Sequence, residues 1–571
     1  MSPRCLTFFL VAAASVVSAQ PGPPFASGVW CGNVTPTSAS VVVRLTSAGQ
    51  KARLQVSSNP TLTAATFSTS ATTAASAGNT LTLTVQGLVP DTDYYYGVEV
   101  AGVLRTEAGS RGRFHTFPLG RGPFRIAFAG DCDFRDANLS AFDAMLAEHP
   151  LLFIDLGDLH YSDINSTDID RYRDNYDLVL NEPHTSAFFR SVALAYVWDD
   201  HDYCGNDTDG TAAGRDTVRA SYKERAPHYP ITVAGGTIAQ AFTIGRVRVI
   251  MTDTRSASDP AGQKESAAKT RLGTAQKTWF KQELISARDA GFPLIIWVNP
   301  DPWIDAAQVG ADSWGAYATE RTELANFIRD NRIANLVMLS ADMHGLAYDD
   351  GTHSDYATGG GAPIIVLQGS ALSSAGNIKG GPYTGGPLPG SQQYGILEVY
   401  DNGGPSVACR FLGMKVGEGA KLSYIFSADN TASPAAQAFV NISTLAHLTP
   451  DNDSILSGFV ISGPVPRNVL VRAVGPALTQ FGVTDVLARP QLVVYQSGRA
   501  LATNDAWAPT ADTASRLNVA FNRAGAFCFS DASSCDAALL LTLAPGAYTI
   551  QVKSASGASG TALLEVYDVP Q

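Results

Sequence analysis

The chain has 571 residues, of which 45% are hydrophobic and 16% are charged. This length exceeds what one ordinary core accommodates, so two to four domains are expected, and the apolar content argues against long disordered segments. The formal net charge of -12 argues against general nucleic-acid binding. Beyond the N-terminus, no apolar run reaches the roughly 18 residues that a membrane span requires.

The N-terminus has the layout of a secretory signal peptide. Arg4 precedes an apolar run from Leu6 to Val17, and the small residues Val17-Ser18-Ala19 follow. We predict a signal peptide over residues 1–19 and therefore a secreted protein, in the periplasm, in the medium or at the cell surface. A buried first helix or strand is the alternative interpretation.

Residues 26–118 are predicted to form a β-sandwich. Apolar runs at 41–45 and 81–85 lie between turn residues, which is typical of strands. The segment 87–96 contains the spacing Leu-x-Pro-x-Thr-x-Tyr-x-Tyr, which resembles the tyrosine-corner region of fibronectin-type sandwiches. We interpret this region as a structural, fibronectin-like N-terminal domain.

The pattern changes over residues 123–415, where apolar strands alternate with amphipathic helices. Helices are predicted near residues 138–148, 274–289 and 319–330. This alternation predicts an α/β domain.

Helix signals fade from residue 420 to residue 571. Apolar stretches at 468–472, 491–495 and 547–552 predict strands, and Gly, Pro and Asn separate them. We expect a C-terminal β-rich domain and assign it no chemistry. Attachment to the cell surface through this domain is an open alternative.

Five predicted strands of the α/β region end directly before residues that can bind a metal ion. The motifs that follow them are Gly-Asp-Cys-Asp at 130–133, Gly-Asp-Leu-His-Tyr at 157–161, Asp-Asp-His-Asp at 199–202, Asn-Pro-Asp at 299–301 and Ser-Ala-Asp-Met-His at 340–344. A single carboxylate after a strand is often merely solvated. Ligands bind at the carboxyl ends of strands in open α/β sheets, so five such loops are expected to converge on one site.

The residue types in these loops indicate a metal centre. Carboxylate, imidazole and amide donors suit hard to borderline cations. Two cations about 3.5–4 Å apart can lower the pKa of bound water, hold it for in-line attack and neutralise phosphate charge. A serine-based mechanism is disfavoured because the sequence contains no Gly-x-Ser-x-Gly motif, and it contains no P-loop.

These motifs resemble those of the PhoD-like alkaline phosphatase/phosphodiesterase family, within the metallophosphoesterase superfamily. The resemblance rests on RIAFAGDC, GDLHY, WDDHD, DTR and SADMH, and it spans roughly residues 26–415. It implies a domain of two packed mixed β-sheets flanked by helices. It also implies a metal-dependent hydrolase that cleaves small phosphate monoesters and/or diesters with a metal-activated hydroxide.

The resemblance further implies a binuclear or trinuclear site that holds Fe³⁺ and Ca²⁺. Cys132 and Tyr161 would bind the first metal, Asp158 would bridge the metals, and His344 would complete the first position. This chain has Gly-Asp-Cys-Asp where the family usually has Ser-Cys. Asp131 therefore either joins the metal or replaces the cysteine.

The remaining implied roles concern the second metal and the leaving group. Asp200, Asp342 and Asn299 would hold the second metal. His201, with Asp200 beside it as the other catalytic residue, would protonate the leaving oxygen. Arg255 would order a loop or clamp the phosphate.

Two other functions stay open at this point. One is a metal hydrolase of the same fold that acts on another ester. The other is an exported surface or adhesion protein with a degenerate enzyme domain, although the intact ligand set between Asp158 and His344 argues against degeneracy.

Overall fold

A computed structural model describes residues 24–136, 138–430, 441–461, 467–529, 531, 533–544 and 546–569. The predicted signal peptide lies outside the described residues. By its internal contacts the chain divides into two units, Met1–Pro434 and Ala435–Gln571. Across the described part of the chain, no helix has both the length and the apolar character needed to cross a membrane.

The strands of the first unit's described residues are β1 to β22 in chain order. They are Trp30–Gly32, Ser38–Arg44, Lys51–Ser57, Thr66–Phe67, Ala71–Thr72, Thr80–Gln86, Asp93–Val100, Val103–Leu104, Arg111–His115, Pro123–Ala129, Leu152–Asp155, Ala193–Tyr196, Gln240–Ile244, Val247–Met251, Leu294–Val298, Leu336–Ser340, Gly345–Asp349, Ile365–Gly369, Gly385–Pro389, Gln393–Tyr400, Ser406–Lys415 and Gly419–Asp429.

The α-helices of the same residues are α1 to α7. They are Ser140–Ala147, Ile169–Asn181, Pro183–Phe189, Asp200–Tyr203, Arg215–Arg225, Gly273–Asp289 and Ala318–Asp330. The three helices predicted from the sequence correspond to α1, α6 and α7. In α6 the buried residues Phe280, Leu284 and Ala287 recur at the spacing of one helix face, which explains why the sequence pattern located it.

Two large mixed sheets form the centre of the first unit. The first has the order β22-β21-β20-β10-β11-β12-β1-β2-β6, and the second has the order β13-β14-β15-β16-β18-β17-β19. Within them β10, β11 and β12 are parallel, and so are β14, β15, β16 and β18. The carboxyl ends of these strands therefore lie at one edge of each sheet.

The two sheets pack face to face, with helices on their outer faces. In β15 the side chains of Ile296 and Val298 join the core between the sheets, whereas those of Ile295 and Trp297 join a second core under α6 and α7. This alternation is the period-2 geometry of a strand that is buried on both faces. The fold is therefore mixed α/β with two packed central sheets.

The N-terminal region forms two layers of strands, one of which continues the first large sheet. β1 pairs in parallel with β12, and Gly32 permits this approach because a Cβ there would lie 2.4 Å from the carbonyl oxygen of Leu194. β3 and β7 form the core of a separate sheet. Tyr94 accepts a hydrogen bond from the backbone N–H of Val89 at 2.9 Å, as in a tyrosine corner. The fibronectin likeness of the whole region stays a prediction.

The second unit contains two four-stranded sheets over a shared apolar core. Its described strands, β23 to β30, are Asn441–Leu448, Ser454–Ile461, Arg467–Val474, Pro490–Gln496, Arg499–Asn504, Ala537–Leu543, Gly546–Ser554 and Gly560–Asp568. Strand β22 pairs with β21 in the first unit, so residues 420–429 belong there and not with the C-terminal strands.

The second unit also contains a helix that the sequence analysis missed, α8 at Ala511–Ala524. The Thr510 hydroxyl caps its first turn, and Gly525 ends it in the left-handed conformation at φ 69°. Leu517, Ala520 and Phe521 form its buried face. This narrow apolar stripe lies among polar residues, which is why the surrounding strand pattern concealed it.

Candidate active site

Four carboxylates predicted from strand-end motifs come together at the shared edge of the two sheets. Asp131 follows β10, Asp158 follows β11, Asp200 begins α4 after β12, and Asp342 follows β16. Each is at most 2% exposed. Burial of several carboxylates in one place is costly unless cations balance them.

The ligand atoms of these residues group closely enough to share cations. In the described residues, five groups of three have ligand atoms within 4.8 Å of one another: Asp131, Asp342 and His344; Asp158, Asp200 and His201; Asp199, Asp200 and Asp342; Asp200, Asp207 and Asp312; and Asp301, Asp312 and Asp342. Asp200 and Asp342 each belong to three of these groups and Asp158 belongs to one, so the bridging role expected of Asp158 stays a prediction.

Buried oxygens in this cluster lack protein partners. The Oδ2 atoms of Asp131, Asp158 and Asp342 are inaccessible to solvent and accept no hydrogen bond. An unpaired buried polar atom costs about 1–3 kcal/mol, and a charged one costs more. The residues present therefore fit bound cations, because metal ions would supply the missing partners of these oxygens.

The backbone at the site adopts a conformation that is uncommon outside glycine. Asp131, Asp158, Tyr161, Asp342 and His344 have φ values of 58°, 59°, 48°, 56° and 55°. Left-handed residues of this kind are tolerated where the surrounding structure holds them, and they concentrate at functional sites. Five predicted ligands share this feature.

Burial and mutual repulsion disfavour the charged forms of two of the carboxylates. The pKa of Asp158 is raised well above its usual value by burial and by the nearby charges of Asp200 and Asp199. The pKa of Asp342 is likewise raised by burial and by Asp312, although Lys379 opposes the shift. Without cations, the folded chain therefore holds protons that the unfolded chain releases.

This difference predicts that the metal-free protein loses stability as pH rises. Between about pH 7 and 9 the unfolded carboxyls are fully ionised while the buried pair resists ionisation, so the unfolding free energy should fall. Lower pH is avoided because buried His160, whose pKa is lowered to about 3 by burial, makes stability rise with pH below about 6.5.

The check is the thermal midpoint measured with chelator across this pH window. Addition of divalent cations should reduce the decline, because they balance the ionised carboxylates. A midpoint that stays constant or rises with pH in chelator would contradict this interpretation.

Asp131 and Cys132 compete for one predicted ligand position, and the structure places Asp131 in the cluster. The Oδ2 atom of Asp131 lies 3.9 Å from Nδ1 of His344, which also donates to the carbonyl of Ser374 at 2.7 Å. Cys132 belongs to none of the five groups found among the described residues. Burial raises the pKa of its thiol well above the usual value, and the charge of Asp155 adds to this. Its role as a ligand stays a prediction.

Tyr161 and His201 form a stacked pair at the side of the cluster. Their ring centroids are 3.7 Å apart with planes 19° from parallel, and Nδ1 of His201 donates to Asp163 at 2.7 Å. Burial and the charge of Asp158 raise the pKa of the Tyr161 phenol. This placement puts the phenol beside the carboxylates, as the prediction for Tyr161 requires.

Asn299 has structural partners instead. Its amide oxygen accepts a hydrogen bond from the indole of Trp314 at 2.9 Å, and its amide nitrogen donates to the carbonyl of Asp301 at 2.6 Å. These bonds organise the loop after β15. Its role as a metal ligand, predicted from the sequence, stays untested.

Arg255 orders the loops around the site. Its Nε donates to Asp199 at 2.5 Å and its Nη2 donates to Asp301 at 2.8 Å, while Asp312 lies 3.5 Å from Nη2. The side chain is buried, which opposes its charge, but these carboxylates raise the pKa of the guanidinium well above its usual value. Of the two roles left open by the sequence, these contacts favour loop ordering.

Sequence reasoning missed two charged residues of the site, Asp312 and Lys379. Lys379 forms ion pairs with Asp312 and Asp342. Neither residue directly follows a predicted strand, so the strand-end pattern gave no signal for them. Asp312 lies in a Gly-Ala-Asp-Ser loop and Lys379 in a Gly-rich loop, and only the fold brings them to the site.

The comparison with a solved structure of PhoD agrees with this architecture. A solved structure of PhoD matches with a TM-score of 0.58 at 17% identity, over 72% of this chain and 92% of that one. A purple acid phosphatase, PPD1 from yellow lupin (Lupinus luteus) seeds, aligns with a TM-score of 0.49 at 13% identity, over 72% and 75% of the two chains. The likeness to PhoD places the chain in a class of mixed α/β folds with two packed central sheets.

The sequence comparisons narrow this class to one family. Residues 127–384 match the PhoD-like phosphatase model and residues 11–118 match the model of the PhoD-like phosphatase N-terminal domain, and together these cover more than half of the chain. The chain belongs to the PhoD-like phosphatase family. Alkaline phosphatase D of Bacillus subtilis (strain 168) is 22% identical over 343 residues, which are 51% of this chain and 58% of that relative.

Proposed function

We propose that the protein is a metal-dependent phosphoesterase that hydrolyses small phosphate monoesters or diesters at the cluster between the two sheets. The observation that carries this proposal is the set of buried, unpartnered carboxylate oxygens of Asp131, Asp158 and Asp342. Membership of the PhoD-like phosphatase family supports it. A structural cluster of acids would pair these oxygens with protein donors.

The chain supplies two adjoining cation positions that share carboxylates. Asp131 and His344 would hold one cation, Asp158 and Asp200 would hold the other, and Asp342 reaches both. Bound cations of this kind activate water for attack and screen the charge on phosphate oxygens. The carboxylate-rich donor set favours hard cations, in keeping with the Ca²⁺ and Fe³⁺ implied by the sequence resemblance.

His201 would act as the general acid for the leaving group. Its Nδ1 is committed to Asp163, which fixes the ring and leaves Nε2 to carry a proton. Stacking on Tyr161 holds the ring plane beside the cluster. A positioned imidazole of this kind is suited to protonate the departing oxygen.

Replacement of this imidazole should slow hydrolysis most for substrates with a poor leaving group, because a poor leaving group depends more on protonation. For His201→Gln we expect a loss in kcat of about 10²-fold with an alkyl phosphate, but a much smaller loss with p-nitrophenyl phosphate. His353→Gln is the matched control, because His353 also pairs with an aspartate, Asp349, at 2.6 Å. Equal losses on both substrates would contradict a proton-donor role.

The proposed activity is tested by comparing hydrolysis of p-nitrophenyl phosphate and bis-p-nitrophenyl phosphate at alkaline pH, before and after chelation. We expect cleavage that chelator abolishes and that Ca²⁺ with iron restores. The ratio of the two rates ranks monoester against diester. A folded protein that remains inactive after metal supplementation would refute the proposal, and carboxylate esters would then be the next substrates to assay.

We further propose that the protein is exported, on the basis of the leader-like residues 1–19. Expression in a bacterial host followed by N-terminal sequencing of the exported fraction should give a chain that begins after Ala19. Retention in the cytoplasm with an intact N-terminus would contradict export.

A further inference from the structure

Lys379 places an ammonium group among carboxylates that could otherwise hold a cation. Its Nζ donates to Oδ1 of Asp342 at 2.6 Å and also contacts Oδ2 of Asp312. These two aspartates and Asp301 form one of the groups with the spacing of a metal site. The lysine side chain is 29% exposed, so it enters the cluster from its solvent side.

The loop that carries Lys379 is fixed to the site at both ends. On one side the backbone N–H of Ser374 donates to the carbonyl of Asp131 at 3.0 Å, and on the other the N–H of Gly381 donates to Ile304 at 2.7 Å. Gly380 has a φ of 72°, and a Cβ there would lie 2.3 Å from the Ile304 carbonyl oxygen. The backbone that carries Lys379 is therefore held beside the site.

The two aspartates paired with Lys379 differ in their other partners. Asp312 has two cationic neighbours, because Nη2 of Arg255 lies 3.5 Å from its Oδ1 and Lys379 contacts its Oδ2. Asp342 has Lys379 on Oδ1, while its Oδ2 has no hydrogen-bond partner and is buried. Asp342 therefore offers one oxygen to the lysine and a free oxygen to a cation shared with Asp131 and His344.

We propose that Lys379 is a built-in counter-cation for the second metal position, the one that Asp200 and Asp342 would form. An ion that binds there must displace Lys379 from Asp342 and from Asp312, whose carboxylate groups with both Asp200 and Asp342. This inference rests on the proposed metal-dependent function. It implies that the position formed by Asp131, Asp342 and His344 fills first. The second ion binds more weakly, because its free energy of binding is reduced by the loss of two ion pairs.

The test measures metal binding to the full chain, independently of catalysis. Chelator-treated wild type, Lys379→Gln and Lys379→Arg are titrated with Ca²⁺ by calorimetry, all at the same alkaline pH. Lys421→Gln is the control, since Lys421 pairs only with the exposed Glu418 among the contacts described. The glutamine variant should bind the second ion about tenfold or more tightly than wild type, a gain of about 1.4 kcal/mol or more.

The variants separate charge from shape. Lys379→Arg keeps the cation and Lys421→Gln leaves it untouched, so both should bind the second ion as wild type does. If Lys379→Gln binds both ions as wild type does, or binds the second more weakly, the counter-cation inference is wrong while the metal site stands. If no protein binds Ca²⁺ or iron, the proposed function falls as well.

A second measurement uses only the wild-type protein. Acetylation of lysines by an amine-reactive reagent, followed by peptide mass spectrometry, reports how accessible each amine is. Ca²⁺ should increase the labelling rate of Lys379 by about tenfold, because displacement frees its amine from two ion pairs, and should leave Lys421 unchanged. A Lys379 labelling rate that Ca²⁺ leaves unchanged or lowers would overturn the inference.

Discussion

Asp158→Asn is expected to lower kcat/KM for phosphoester hydrolysis by about 10³-fold or more while it stabilises the metal-free chain. The asparagine can keep the hydrogen bond that Asp158 Oδ1 accepts from the His201 N–H at 3.1 Å. It removes a buried carboxyl whose ionisation is opposed by burial and by the charges of Asp200 and Asp199, so the metal-free fold no longer has to hold a proton there. Activity should be lost because a cation ligand is lost, and the thermal midpoint in chelator should rise by about 2 °C or more.

Opposite effects on activity and stability distinguish a ligand from a structural residue. The matched control is Asp401→Asn, because Asp401 is equally buried but is paired with Arg246 and accepts from the N–H of Gly403 at 2.8 Å. This control should lower the midpoint and leave kcat near the wild-type value. An Asp158→Asn protein that is active, or that melts earlier than wild type in chelator, would contradict the assignment.

Arg255→Met should destabilise the first unit by about 3–5 kcal/mol, the usual cost of removing one partner from a buried ion pair. Asp199 would lose the cation that Nε provides at 2.5 Å, and Asp301 would retain only Arg271 among its described cation partners. Chemical denaturation of the metal-free proteins, followed by the fluorescence of the tryptophans near the site, measures the loss. Activity should fall too, because Asp200 lies beside the disturbed loop.

Two further variants provide reference values for the loss of stability in Arg255→Met. Arg329→Met removes a half-buried arginine that pairs with the exposed Asp330 and donates to the carbonyl of Thr358 at 2.6 Å, and it should cost no more than about 1 kcal/mol. Arg255→Lys keeps the charge but not the forked geometry, so its cost should lie between the two. An Arg255→Met protein within 0.5 kcal/mol of wild type would show that the network contributes little to folding.

The residues of the site that follow strand ends were predictable from the local sequence pattern. Asp131, Asp158, Asp200 and Asp342 each follow a buried strand closely, and parallel pairing brings strand ends to one edge. The contacts of Arg255 were not predictable, because three of its carboxylate partners lie more than forty residues away in sequence.

In the fold, too, features set by local sequence were predictable and contacts between distant segments were not. The helices with a clear apolar stripe were found, whereas α8 at Ala511–Ala524 was concealed by the strand pattern around it. The pairing of β1 with β12 depends on Gly32 approaching Leu194, a contact between distant segments that no local pattern encodes. For this reason the N-terminal region could be predicted as strands but not as an extension of the large sheet.

In the proposed function, the carboxylate and imidazole cluster is a metal centre with two cation positions. Anomalous diffraction from crystals of the metal-loaded protein tests it most directly. We expect two anomalous peaks at a separation of about 3.5–4 Å. One should lie beside Asp131, Asp342 and His344, and the other beside Asp200. Absence of anomalous density from this cluster in a protein that hydrolyses phosphoesters would contradict the account.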